Sequence, residues 1–129
     1  MIERAKYFSI GCHATQKRKY TNEPYWKHPE AVVRILEQHY PIQEALVVGW
    51  LHDVVEDTWA TCFDIQFHFN EKIALYVSQL TMPDLSFGNR EKRIDYYNGI
   101  LSDACELVQT VKYADLIHNT SSIEIYDPD

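Results

Sequence analysis

The chain has 129 residues, of which 46% are hydrophobic and 13% aromatic, so it can bury one core and we expect a single domain over residues 1–129. A formal net charge of −7 argues against a general nucleic-acid-binding protein. Three widely spaced cysteines without a Cys-x-x-Cys pair argue against a disulfide framework. Because no apolar run reaches the roughly 20 residues of a membrane span and the start does not resemble a signal peptide, we expect a cytoplasmic protein.

Apolar residues recur at helical spacing along the chain, and this pattern predicts an all-α fold. The predicted helices run over about residues 2–19, 29–39, 43–57, 61–69, 71–80, 90–101 and 103–120. Pro29 lies in the first turn of the second helix, and Thr61 with Asp64 has the pattern of a capping box at the start of the fourth. The Asp-Pro pair at residues 127–128 is typical of a turn, so we expect that one or more C-terminal helices of the fold are missing.

The third predicted helix ends in a cluster of side chains that can bind a metal ion or transfer a proton: His52, Asp53, Glu56 and Asp57. At about 100° per residue these four lie within an arc of roughly 140°, opposite Val54 and Val55. The same face continues backward to Ala45 and Gly49, whose small size leaves room for another group. Burial of several carboxylates beside a histidine is costly without a compensating cation, so the cluster predicts a divalent metal.

The last predicted helix carries a second set of polar residues, because Lys112, Asp115 and Asn119 share one face. An aspartate inside an apolar helix needs a partner. Three residues of two other helices can join Asp115 in a metal site: His28, His52 and Asp53. A set of two imidazoles and two carboxylates suits Mn(II), Fe(II) or Mg(II), and the absence of thiolates makes a structural zinc site a poorer interpretation.

Five landmarks occur in order: His13-x-x-Gln16-x-Arg18-Lys19, Pro24-Tyr25-x-x-His28-Pro29, Leu51-His52-Asp53-Val54-Val55-Glu56-Asp57-Thr58, Leu80-Thr81 and Val111-Lys112-x-Ala114-Asp115-x-x-x-Asn119. With these landmarks the chain, from residue 5 to about 123, resembles the HD-domain phosphohydrolases. It is most similar to the hydrolase domain of RelA/SpoT homologues, including the small alarmone hydrolases and the metazoan SpoT homologues. A bare His-Asp pair arises often by chance, whereas the string from His52 to Thr58 is specific to this subfamily.

The resemblance implies an HD-domain helical bundle that removes the 3′-pyrophosphate of (p)ppGpp, giving GDP or GTP and pyrophosphate. It implies four ligands for Mn(II): His28, His52, Asp53 and Asp115. It implies that Glu56 and Asp57 orient and deprotonate the attacking water. The substrate contacts it implies are Arg18 at the purine, Lys19 near the nucleotide, and Lys112 and Asn119 at the ribose or phosphate. The expected partner is therefore a small nucleotide, with no nucleic acid and no membrane.

Two departures from the family pattern concern the substrate more than the ligands. Phe69-Asn70 stands where Phe-Gly is usual, and asparagine tolerates a left-handed backbone. Leu116 stands where an arginine usually follows the aspartate.

Two alternatives to the alarmone hydrolase stay open. The first is another phosphohydrolase on the same scaffold, such as a nucleotidase or a phosphatase of NADPH-like molecules. The second is a non-catalytic nucleotide-binding module, which the intact pair of Glu56 and Asp57 disfavours. The remaining histidines without a matching partner are expected to be surface or satisfied residues: His39, His68 and His118.

Overall fold

The computed structural model describes residues 1–19 and 22–126, with side chains as far as residue 121. Its helices, in chain order, are α1 (Ile2–Cys12), α2 (Lys27–His39), α3 (Gln43–Leu51), α4 (Val54–Asp57), α5 (Cys62–His68), α6 (Glu71–Gln79), a 3-10 turn (Leu85–Phe87), α7 (Arg90–Asp103) and α8 (Glu106–Tyr126). Apart from one isolated bridge between Lys17 and Pro24, the regular structure of the described residues is helical, which confirms the all-α prediction. Residues 127–128, where a turn is predicted, lie outside the described residues.

The first helix is shorter than predicted, because it ends at Cys12. The chain then forms a loop in which the N–H of Tyr25 donates to the carbonyl of Gln16 at 2.8 Å. The prediction over this stretch was wrong because residues 15–19 are all polar. Further turns of helix would bring no apolar side chain to the core, and packing supplies most of the stability of a helix in a folded protein.

The predicted third helix is two helices in the structure. α3 ends at Leu51, and His52 and Asp53 form a turn before α4 begins at Val54. The carbonyl of Asp53 still accepts the N–H of Asp57 at 3.0 Å, so the chain resumes a helical course after the break. A continuous helix was wrong because histidine, aspartate and β-branched valine are all weak helix formers, and a break at this point therefore costs little.

α3 lies at the centre of the fold, where it contacts α1, α2, α6 and α8. A helix surrounded on all sides should be apolar all round, and six of its nine residues are buried. Most of the large buried aliphatic side chains of the core come from α2, α3, α6 and α8, among them Val32, Leu36, Val47, Val48, Leu51, Ile73, Val77, Val108 and Val111. Because α2 and α8 also pack on each other, the polar residues of α2, α8 and the end of α3 are carried to one place.

The small residues of α3 pack in the apolar core and do not make room on the polar face. Ala45 and Gly49 are both buried, and α2 fills the space beside Gly49. A Cβ atom added to Gly49 would lie 2.9 Å from Cδ1 of Leu36 and 3.1 Å from Cγ2 of Val33. The room that the sequence predicts is therefore occupied by aliphatic side chains.

α5, α6 and α7 each begin with a side-chain cap, and two of these caps bear on the sequence predictions. The predicted capping box is present, since Thr61 and Asp64 each accept the other's backbone N–H. Asn70 has an extended backbone (φ −171°), and its Oδ1 accepts the N–H of Ile73 at 2.8 Å. Asparagine thus acts here as the N-cap of α6, and its tolerance of the left-handed region is not used.

Among the described residues, no helix combines the length and the apolar character that crossing a membrane requires.

Two glycine-to-alanine substitutions test the close approach of α2 to α3. Gly99 lies inside α7, and a Cβ atom added there meets nothing within 4 Å. Gly99→Ala should therefore stabilise the protein by about 0.5–1 kcal/mol through helix propensity. Gly49→Ala gains the same propensity but overpacks the core, which typically costs about 1–3 kcal/mol, so we expect a net loss of stability. Urea denaturation measures both, and equal gains at the two positions would contradict the packing described here.

Candidate metal centre

Three segments of the chain bring two imidazoles and two carboxylates together. His28 lies in the first turn of α2, His52 and Asp53 form the turn between α3 and α4, and Asp115 lies in the middle of α8. The Nε2 atoms of His28 and His52 are 2.7 Å and 3.2 Å from Oδ1 of Asp115. Oδ2 of Asp53 is 3.1 Å from Nε2 of His52 and 3.5 Å from Nε2 of His28. One ligand atom from each residue lies within 4.8 Å of all the others, which is a grouping that can hold a metal ion.

The electrostatics of this centre favour a cation. Burial alone would raise the pKa of Asp53, but the neighbouring His52 and His28 rings outweigh it and lower the pKa to about 2. Burial would also raise the pKa of Asp115, but the hydrogen bonds from both histidines outweigh it and hold this pKa well below its usual range. In return, the two carboxylates raise the pKa of the buried His52 ring well above its usual value. The carboxylates stay ionised and attract positive charge, which a divalent cation can provide in place of ring protons.

The other nitrogen of each histidine fixes the direction in which its ring points. Nδ1 of His52 lies 2.7 Å from the carbonyl oxygen of Gly49, so it carries the proton and donates it there. Nδ1 of His28 lies 2.7 Å from Nδ1 of His118. Both Nε2 atoms consequently face the carboxylates, as a metal site requires. His118, which the sequence predicts to be a surface or satisfied residue, is satisfied by a ring of the site, because its spacing of three from Asp115 puts it on the same face of α8.

The carboxylates predicted to handle the proton lie beside Asp53. One oxygen each of Asp53, Glu56 and Asp57 falls within 4.8 Å of the others. Oε1 of Glu56 accepts the N–H of Met82 at 2.7 Å. Burial, together with the charges of neighbouring carboxylates, raises the pKa of Glu56 and that of Asp57 above their usual values. Both groups are thus better proton acceptors than ordinary surface carboxylates.

Tyr25 is a residue of the site to which the sequence analysis gave no role. Its hydroxyl lies 2.8 Å from Oδ2 of Asp53 and 3.2 Å from Oδ2 of Asp57. Burial and these two carboxylates raise the pKa of Tyr25, so the hydroxyl stays protonated and donates. The ring of His13 lies against the ring of Tyr25, at 4.7 Å between centroids. The only signal in the sequence was the position of Tyr25 inside a landmark, three residues before His28.

His13 itself contributes to the site through Gln16. Nδ1 of His13 is 2.6 Å from Oε1 of Gln16, and the amide nitrogen of Gln16 donates to the backbone carbonyl of Asp57. The first landmark of the sequence therefore attaches the loop after α1 to α4, the helix that carries Glu56 and Asp57.

The four predicted substrate contacts do not all lie at the same distance from the centre. Nζ of Lys112 is 3.1 Å from Oδ2 of Asp115, and Nδ2 of Asn119 is 3.1 Å from Oδ1 of Asp115. Arg18 reaches Oδ1 of Asn119 at 3.4 Å through its Nη1. Lys19 is exposed on the loop after α1. The structure thus brings Lys112 and Asn119 to the centre, places Arg18 next to them and leaves Lys19 at the periphery.

A cavity of about 190 Å³ opens beside these groups. Its walls include both members of the acidic pair, the ring of Tyr97 and three polar residues of α8: Glu56, Asp57, Tyr97, Lys112, Asp115 and Asn119. Lys112 lies over the Tyr97 ring at 5.3 Å from its centroid, which fixes the ammonium group at the cavity wall. Pockets for whole drug-sized ligands usually exceed about 300 Å³, so this cavity suits a phosphate or diphosphate group and leaves the rest of a nucleotide outside.

Comparisons with known proteins agree with this geometry. The chain is 32% identical over 133 residues to a probable guanosine-3′,5′-bis(diphosphate) 3′-pyrophosphohydrolase of Synechocystis; all of this chain is aligned, to 17% of that relative. It is 29% identical over 132 residues to the guanosine-3′,5′-bis(diphosphate) 3′-pyrophosphohydrolase MESH1 of Xenopus tropicalis, and it covers 73% of that protein. The solved structure of a metazoan orthologue of SpoT that hydrolyses ppGpp matches with a TM-score of 0.86 at 26% identity, over 99% of this chain and 72% of that one.

The chain therefore spans about a sixth of the length of the Synechocystis relative and nearly three quarters of the Xenopus one. The profile of the HD domain matches residues 5–86, which include His28, His52 and Asp53. This match confirms the predicted fold, and the chain belongs to the HD-domain family.

Proposed function

We propose that this chain is a Mn(II)-dependent hydrolase that removes the 3′-pyrophosphate of (p)ppGpp and releases GDP or GTP and pyrophosphate. The observation that carries the proposal is the contact between the buried His28, His52 and Asp115 side chains, with the acidic pair of α4 beside them. The substrate is inferred from the relatives, since the Xenopus protein carries the name of this activity and the metazoan SpoT orthologue hydrolyses ppGpp.

The donor set supports a divalent metal of intermediate hardness, and we propose Mn(II) held by His28, His52, Asp53 and Asp115. Three of these residues are nearly inaccessible, with exposed fractions of 1% for His28, 2% for His52 and 6% for Asp115. Two ionised carboxylates in such a place need a counter-charge. When bound, the ion supplies that charge and polarises the phosphate that is attacked.

The remaining residues of the site act on the water and on the phosphates. Glu56 and Asp57 accept the proton of the attacking water, since their raised pKa values bring them closer to the strength of a useful base. The Tyr25 hydroxyl holds Asp57 in place relative to Asp53. Lys112 neutralises charge on the phosphate that enters the cavity.

Outside the cavity, the proposed contacts bind the nucleoside. Arg18 offers a planar cation that can stack on the purine, and it lies 6.0 Å from the centroid of the Tyr25 ring. Asn119, which binds Arg18 through Oδ1, contacts the ribose or its phosphate. We place Lys19 near the nucleotide, where its exposed ammonium group adds attraction to the negatively charged phosphates.

The first test compares variants of the acidic pair and of the metal ligands. Glu56→Gln should lower kcat for ppGpp by about 10²–10⁴-fold while metal content stays unchanged, because it removes a base and no ligand. His52→Ala should lose metal and activity together, and EDTA should abolish activity of the unchanged protein. Glu37→Gln, at an exposed position of α2, is the matched control and should behave as the unchanged protein does.

The assay measures pyrophosphate and orthophosphate separately over a panel of nucleotides that includes ppGpp and NADPH. Pyrophosphate released from ppGpp supports the proposal. Release of orthophosphate alone would assign the chain to another phosphohydrolase on the same scaffold. Metal binding without any turnover would assign it to the non-catalytic alternative.

A second prediction concerns Tyr25. Tyr25→Phe keeps the ring against His13 but removes the hydroxyl between the two carboxylates, so Asp57 loses a restraint and Asp53 loses a donor. We expect kcat to fall by about tenfold, which corresponds to roughly 1.4 kcal/mol for one lost hydrogen bond to a charged group, with KM little changed. Steady-state kinetics at saturating Mn(II) measure both constants. An unchanged kcat would show that the hydroxyl plays no part.

A third prediction uses the raised pKa of Asp57 in the metal-free protein. The folded state binds this proton more tightly than the unfolded state, whose pKa is close to the ordinary 3.8, so stability falls as the pH rises between the two values and remains reduced above them. Asp57→Asn should therefore raise Tm by about 2 °C at pH 8. Asp57 is exposed, and substitutions at exposed positions typically change the free energy of unfolding by about half a kcal/mol, which corresponds to a shift of this size.

The gain should shrink as the pH falls toward 4, because Asp57 of the unchanged protein then takes up its proton in the folded state and begins to do so in the unfolded state. Thermal melts in EDTA from pH 8 to pH 4 measure the trend. Asp95→Asn, at an exposed position of α7, provides the control. A Tm for Asp57→Asn that lies below that of the unchanged protein at pH 8 would contradict the raised pKa.

A further inference from the structure

α8 holds both nitrogens of the His28 ring. Oδ1 of Asp115 lies 2.7 Å from Nε2, and Nδ1 of His118, one helical turn further along, lies 2.7 Å from Nδ1. The centroids of the two imidazoles are 5.0 Å apart and their planes are inclined by 24°. The two Nδ1 atoms are therefore much closer together than the ring centres. Such a difference arises when the rings meet edge to edge, joined by a hydrogen bond between these nitrogens.

The two histidines of the centre obtain their supporting acceptor in different ways, because they lie at opposite ends of helices. His52 follows the last turn of α3, so the carbonyl of Gly49 is within reach of its Nδ1. His28 lies at the start of α2, where no complete turn of helix precedes it. The carbonyl of Tyr25, three residues before His28, already accepts the backbone N–H of His28. The supporting acceptor for the His28 ring must therefore come from another element.

We propose that His118 is the positioning residue of His28: it accepts the Nδ1 proton and thereby directs the Nε2 lone pair at the metal. This inference rests on the metal site of the proposed function. If His28 donates from Nδ1, then Nδ1 of His118 accepts, and the His118 proton lies on its Nε2. Without this acceptor, nothing would keep the proton of the buried His28 ring on Nδ1, so Nε2 would no longer be held ready to bind the metal. The ring would also lose the bond that restrains its rotation.

The test measures Mn(II) affinity directly, by titration against a competing chelator, and uses no turnover. His118→Phe keeps a ring of similar size without an acceptor, and we expect a dissociation constant raised by about 10–100-fold. In His118→Asn, the side-chain oxygen provides an acceptor close to the position of Nδ1. We therefore expect a dissociation constant within about threefold of the original, because the supporting hydrogen bond to His28 is restored. His68→Phe, at an exposed position of α5, is the control and should leave the affinity unchanged.

Each outcome decides one of the two proposals. If the unchanged protein binds no Mn(II), the proposed metal site fails, whatever His118 does. If it binds Mn(II) and His118→Phe binds it equally well, the role of His118 alone is overturned. Should His118→Phe fail to fold by circular dichroism, His118→Ala replaces it. If the alanine and asparagine variants both bind Mn(II) equally weakly, then a hydrogen-bond acceptor at this position has no effect and only packing is lost. That result would also overturn the inference.

Discussion

The fold is organised around one buried carboxylate. Oδ1 of Asp115 lies within hydrogen-bonding distance of His28 from α2 and of His52 from the end of α3. Withdrawal of α2 or α3 from α8 would remove one of these histidines and leave the carboxylate with fewer partners, which are costly to lose for a buried charge. The same contact between three helices therefore brings together the residues that could hold a metal ion.

The apolar core makes this arrangement possible. α3 is buried against four other helices, and its last residues deliver His52 and Asp53 at a fixed point and direction. The break after Leu51 then separates two tasks. The histidine and aspartate of the turn face the buried centre, whereas Glu56 and Asp57 lie in the short α4, which is more exposed and in contact with the cavity. In one continuous helix, all four side chains would have kept the fixed relative positions of helical residues.

Much of this could be predicted from the sequence, because it depends on residue spacing. Helical periodicity predicted the all-α fold, and the capping box at Thr61 was correct. The residues proposed as metal ligands do meet in the structure. The errors concern features that periodicity does not describe. α1 ends early because residues 15–19 have no apolar side chain to bury, and the third helix breaks at His52 and Asp53 because weak helix formers make a break there inexpensive. The contacts of His118 and Tyr25 were missed because their partners lie 90 and 28 residues away along the chain, and local spacing does not identify partners so distant.

α8 places its functional side chains on a single rigid rod. The ammonium group of Lys112, the carboxylate of Asp115, the imidazole of His118 and the amide of Asn119 follow one another within eight residues of the same helix. Unwinding one turn, or rotating the helix by a fraction of a turn, would move the proposed metal ligand Asp115, the proposed support of His28 and the proposed phosphate contacts all at once. Loss of order in this helix would therefore switch the whole centre off in a single step and would not degrade it gradually.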